Sequence, residues 1–136
     1  HQFEALFKKY QLTAPDYEQD ESAKLLRRIA ACGHAADLEL FLENRPGFNV
    51  NKAAAEPSPA AGKTALHWVI EQTSRIVDNH KADDFNKLSD YERCYHLLLK
   101  QNASLDVVDN KGKTPLDYDT SEYYSILLAS ASQTAL

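Results

Sequence analysis

Apolar residues recur along most of this chain at the three- and four-residue spacing of amphipathic helices, and breaks in that rhythm mark its turns. Phe3, Leu6, Phe7 and Tyr10 form a short stripe, closed off by Pro15. Leu25, Leu26, Ile29 and Ala30 form a second, and after the break at Gly33-His34 comes a third, with Leu38, Leu40, Phe41 and Leu42. A longer stripe runs from Leu66 through Val69 and Ile70 to Ile76 and Val77. It returns in Phe85, Leu88, Tyr91, Cys94, Leu98 and Leu99, and Ile126-Leu127-Leu128 ends the series. Polar Asn79 to Asp84 reads as the crossover between the two long stripes, and Ser89-Asp90-Tyr91-Glu92 as a capping box near the start of the return helix. The pattern predicts an all-α chain.

Two segments of the chain repeat one another. Gly62-Lys63-Thr64-Ala65-Leu66-His67 aligns with Gly112-Lys113-Thr114-Pro115-Leu116-Asp117. Each residue type has a local reason. Gly permits a tight turn, and Thr64 and Thr114 accept hydrogen bonds from the free amides of a first helical turn. Pro115 sits at a first helical position, where its missing N–H costs nothing. These residues resemble the ankyrin-repeat signature, in which T-P-L-H opens the first helix of each unit. Gly33-His34 with Leu38 to Leu42, and Cys94 to Leu99 with Asn102-Ala103, resemble the turn and outer helix of the same family. Thr64 and Thr114 stand 50 residues apart, 17 more than the family's period of 33.

The resemblance implies an ankyrin-repeat α-solenoid of stacked helix-turn-helix units with short β-hairpin fingers. It divides the chain into an N-terminal amphipathic helix and linker (1–20), a repeat domain (21–130) and a short tail (131–136). The repeat units are about 21–50, 51–106 and a truncated 107–130. The middle unit carries an inserted helical hairpin near 71–93, with both helices extended by about two turns, roughly 10–12 Å. Its apolar stripe requires a cover, for which the N-terminal helix and a partner chain are the candidates, the former preferred. The resemblance also makes His67 a buried tie between neighbouring loops. The finger around Glu56-Pro57-Ser58-Pro59 has two prolines that cannot donate to a ladder, so its tip is expected to be irregular.

Composition narrows the function. With 26% charged residues and a formal charge of −5, the chain lacks the basic face of a nucleic-acid binder. No apolar run reaches the roughly 20 residues of a membrane span, and no signal peptide opens it. Cys32 and Cys94 have no framework spacing, as expected for reduced thiols in a cytoplasmic setting. No phosphate-binding glycine loop or nucleophile-elbow motif occurs. Cys32-Gly33-His34 falls on a structural turn, Cys94 on an apolar helix face, and His80 with Asp78, Asp83 and Asp84 reads as a solvated crossover rather than a metal cluster. Catalytic residues, metal and cofactors are therefore expected to be none.

What remains is recognition. Arg28, Trp68 and Tyr118 each lie two residues past the key leucine of their helix (Leu26, Leu66, Leu116). The resemblance places that position on the concave groove, and Arg, Trp and Tyr are the residues of interaction hot spots; the bland alternative is that Trp68 packs between repeats. Gln72 shares the face of Trp68, and Asn110, Lys111 and Lys113 belong to an exposed finger. The expected function is non-enzymatic binding of a partner protein by a monomer, within a larger protein. A bacterial effector acting on proteins of a host cytoplasm is one form of it. An accessory domain of an enzyme and a structural spacer are the alternatives.

Overall fold

The computed structural model describes residues 2–10, 19–53, 62–79 and 82–134. Six α-helices follow in order: α1 (Gln2–Lys9), α2 (Gln19–Cys32), α3 (Ala35–Asn44), α4 (Ala65–Asn79), α5 (Leu88–Lys100) and α6 (Tyr123–Thr134). Two 3-10 helices, Ala82–Lys87 and Pro115–Tyr118, lead into α5 and follow the second finger. Among the described residues no β-strand occurs, which corrects the expected β-hairpin at the second finger. The finger at Asp109–Lys113 is a turn, closed by the Asp109 amide donating to the Lys113 carbonyl at 2.9 Å and the Gly112 amide to the Asp109 carbonyl at 2.9 Å. Further amides of this finger donate to the Asp109 carboxylate, so a strand partner is not needed to satisfy them. The proline-bearing part of the first finger lies outside the described residues.

The helix pairs α2–α3 and α4–α5 pack side by side, α2 against α4 and α3 against α5. Their apolar stripes close one core containing Leu25, Leu26, Ile29, Leu38, Phe41, Leu66, Val69, Ile70, Cys94 and Leu98, none more than 1% exposed. Two helix ends use the same device. Gly33, at φ +69°, ends α2 while its amide donates to Ala30 and that of His34 to Ile29; Asn102, at φ +70°, ends α5 with the corresponding pair to Leu99 and Leu98. Both are Schellman ends, which need a left-handed residue that Gly supplies most easily and Asn next. At Gly33 a Cβ would also lie 2.8 Å from the Tyr91 ring, whose hydroxyl donates to the Ala31 carbonyl at 2.7 Å.

α1 packs on α3 and buries Leu6, Phe7 and Tyr10. The outer part of α4 is covered differently. Tyr124, fully buried, shares a 2.7 Å hydrogen bond with Thr73, Ser121 one of 3.1 Å with Ser74, and the Thr120 hydroxyl donates to Asp78 at 2.5 Å. The Tyr124 ring stacks 4.4 Å from that of Tyr95 on α5. The C-terminal segment therefore covers this stretch of α4, where the N-terminal helix was expected to. α6 is seated by Asp119, whose buried carboxylate accepts from the Tyr124 and Ser125 amides at 3.3 and 2.8 Å.

α5 begins at Leu88, with Lys87 in helical conformation and no side-chain cap. The expected capping box at Ser89 is absent because the preceding 3-10 helix feeds into α5 and leaves no free end there. The segment after the second finger opens with one 3-10 turn, capped at Thr114 by reciprocal bonds with Asp117: the Thr114 amide donates to the Asp117 carboxylate at 2.8 Å and the Asp117 amide to the Thr114 hydroxyl at 3.3 Å. No helix among the described residues is long and apolar enough to cross a membrane.

Candidate functional site

The repeated Gly-Lys-Thr segments meet at the joint between the start of α4 and the second finger. Gly62 sits at φ +85°, and a Cβ there would lie 2.6 Å from the Asn110 amide nitrogen, so finger and turn pack backbone on backbone. Thr64 precedes α4 and its amide donates to His67 Nδ1 at 3.0 Å. That leaves the proton on Nε2, which donates to the Lys113 carbonyl at 3.0 Å. His67 thus ties α4 to the next finger. Burial lowers its pKa, outweighing the opposing bond to Lys113.

Across this joint stand Trp68 and Tyr118, the first half-buried and the second buried. The Lys63 ammonium lies 4.6 Å from the Trp68 ring and 4.7 Å from the Tyr118 ring, and is paired at 2.7 Å with Glu71. Lys113 places its own ammonium 5.1 Å from the Tyr118 ring. The Tyr118 hydroxyl donates to Asp109, which also accepts the amides of Lys111 and Lys113 at 2.9 and 3.0 Å. Burial pushes the Asp109 carboxyl up, but those three donors outweigh it and hold the group below the usual carboxylate range. Burial and Asp109 together raise the Tyr118 hydroxyl.

Of the residues singled out in the sequence, Trp68, Tyr118 and Lys113 come together here. Asn110 and Lys111 are exposed on the same finger, and Gln72 is half-buried one turn beyond Trp68 on α4. Arg28 is exposed, but its guanidinium donates to the Tyr10 carbonyl at 2.7 Å and so fastens the end of α1. Lys63, Glu71, Asp109 and Arg75 also belong to the cluster and were not expected there from the sequence. The signal for Lys63 was present, since it occupies the position in its segment that Lys113 occupies in the other.

A second group lies between the end of α1 and the starts of α3 and α5, around an open cleft of about 280 Å³ lined by Lys9, His34, Asp37, Asp90 and Arg93. The Tyr10 hydroxyl donates to Asp37 at 2.7 Å, which places the shared proton of its 2.5 Å contact with His34 on Nδ1. Lys9 pairs with Asp37 at 2.7 Å and Arg93 with Glu39 at 2.7 Å. Burial would raise the Asp37 carboxyl, yet Lys9 and Tyr10 hold it low. These contacts fasten α1 to α3 and join α3 to α5. Cys94 is fully buried on the core face of α5, and burial pushes its thiol up to about 12. Among the described residues no group of three or more His, Cys, Asp or Glu is arranged to hold a metal; His80 and the side chains of Asp83 and Asp84 lie outside that description.

No family profile matches the chain, and no solved structure is significantly similar to it. Among curated proteins it is similar to the poly(ADP-ribose) polymerase tankyrase of Caenorhabditis elegans, 31% identical over 71 residues, which is 49% of this chain. The match spans 3% of that protein's length.

Proposed function

We propose that this chain is a non-enzymatic protein-interaction module built as a divergent ankyrin-type array, binding its partner through the face that carries Trp68 and Tyr118 and through the adjoining finger. The observation that carries this reading is the joint itself. Two copies of one Gly-Lys-Thr segment meet through His67, and the aromatic side chains that follow them share the Lys63 ammonium. The groups able to do acid–base chemistry there are already committed: His67 to Thr64 and Lys113, Asp109 to Tyr118 and two amides, Glu71 to Lys63. A half-buried Trp beside a Tyr remains, the composition of a binding hot spot.

Affinity capture from cell lysate tests the reading. Trp68→Ala should lower the amount of captured partner by about tenfold or more, the loss of a hot-spot side chain, with capture measured below the melting transition of the variant so that folded protein is compared. Arg28→Ala should leave capture intact, because that guanidinium is spent on Tyr10. Undiminished capture by Trp68→Ala would remove the aromatic face from the binding site. The similarity to a small part of a polymerase supports a second reading, in which the module serves an enzyme as its recognition region.

A further inference from the structure

We propose that the face formed by Trp68, Tyr118 and the second finger takes an extended acidic segment of its partner; this rests on the interaction reading above and gives the partner's chemistry. The argument is one of charge. Overall the chain is negative, at −5. At this face, however, two of the three acids, Glu71 and Asp109, are withdrawn, while Lys111, Lys113 and Arg75 are displayed. The Glu71 side chain is only 15% exposed and already holds Lys63 at 2.7 Å and Arg75 at 3.4 Å. Asp109 is 6% exposed and fully engaged by one hydroxyl and two amides. Lys111 and Lys113 are exposed, and among the described residues no carboxylate pairs with either. The Arg75 side chain is 62% exposed. Asp117, exposed in the 3-10 turn, has one carboxylate oxygen bound to the Thr114 amide.

An incoming carboxylate meets Lys111 and Lys113 without breaking an internal ion pair, and Lys113 is already steadied by the Tyr118 ring. An incoming cation is kept from the aromatic pair, because the position between Trp68 and Tyr118 is filled by Lys63, which leaves it only the exposed Asp117 against three displayed bases. From Trp68 to Arg75 the face runs seven residues along α4, roughly 10 Å at helical rise. That is the reach of about three extended residues, before the finger lengthens it, so an extended segment fits the face better than a single side chain.

Trp68 is the sole tryptophan of the chain, so its emission reports on this face directly. The chain is panned against a displayed library of random peptides about a dozen residues long, and selected peptides are synthesised and titrated while Trp68 emission is followed. Peptides that perturb Trp68 should be enriched about threefold in Asp and Glu over the starting library, as complementarity of charge requires. The double variant Lys111→Glu/Lys113→Glu should lose affinity for them by about tenfold or more, with the melting temperature retained. Selected peptides that perturb Trp68 but show no acidic bias, or a basic one, would overturn this inference and leave the interaction reading standing. A selection that returns no peptide acting on Trp68 would overturn both.

Discussion

At the scale of single residues, His67 and Tyr95 make opposite cases of the same rule about buried polar groups. Both imidazole nitrogens of His67 are used, one as acceptor and one as donor, and the ring is fully buried. Its neutral form is the one the fold requires, and its pKa is lowered accordingly. The stability it contributes is complete above about pH 6.5, where the unfolded chain's His is also neutral. That stability is lost as the pH falls from there toward the depressed folded value. Wild-type melting temperature should therefore drop between pH 7 and 5 more steeply than that of His67→Gln, and equal slopes would show that His67 is not the group responsible. Tyr95 is 1% exposed and its hydroxyl has no hydrogen-bond partner among the described residues, whereas Tyr124, stacked on it, bonds to Thr73. Tyr95→Phe should accordingly be neutral or stabilising by up to about 1 kcal/mol, and Tyr124→Phe should cost about 1 kcal/mol, because only the second breaks a bond. Chemical denaturation of the two variants compares them.

At the scale of elements, a helix end and a turn distinguish conformational demand from steric demand. Gly33 and Gly47 both sit at positive φ, +69° and +80°. A methyl group on Gly47 meets nothing within 4 Å, while one on Gly33 would press into the Tyr91 ring at 2.8 Å. Gly47→Ala should cost about 1 kcal/mol, the backbone share alone. Gly33→Ala should cost about 2–3 kcal/mol, since overpacking adds to it; urea midpoints of the two give the difference, and equal losses would mean that Tyr91 yields freely. Much at this scale was legible from the sequence. The apolar stripes marked α2 to α5, and Thr114-Pro115 announced a capped turn, because stripe and cap are properties of neighbours in the chain. Three elements were not. The finger is a turn without strands, the return helix starts without its capping box, and the helix expected to open at Pro115 is a single 3-10 turn. In each case a competing local hydrogen bond or a preceding helical turn took the place of the expected feature.

At the scale of the whole molecule, separate units are joined by side chains that bond to distant backbone. Asn51 is one such joint: its amide donates to the Asn102 carbonyl at 3.0 Å and its carbonyl oxygen accepts the Ser104 amide at 2.7 Å. Arg27 makes another, from α2 to the Lys52 carbonyl at 3.1 Å. Asn51→Ala should destabilise the fold by about 1–2 kcal/mol through the two lost partners, and hydrogen exchange should show the Ser104 amide losing protection before those of α4. Persistent protection of Ser104 would mean that the joint is not made by Asn51. The candidate face belongs to this scale as well, since Lys63 meets Tyr118 and His67 meets Lys113 across about fifty residues of chain.

Taken alone, the sequence determined where helices run, which faces they bury and that two segments repeat, because apolar period, capping residues and self-similarity are written in neighbouring positions. Only the tertiary structure decided which charges stay on display. Glu71 and Asp109 look like free acids in the sequence and are withdrawn in the fold, Arg28 looks like a groove residue and fastens α1, and Tyr124 covers the outer part of α4 from the far end of the chain. Hydrogen bonds and ion pairs act over about 3 Å, and which groups come that close depends on how the helices pack.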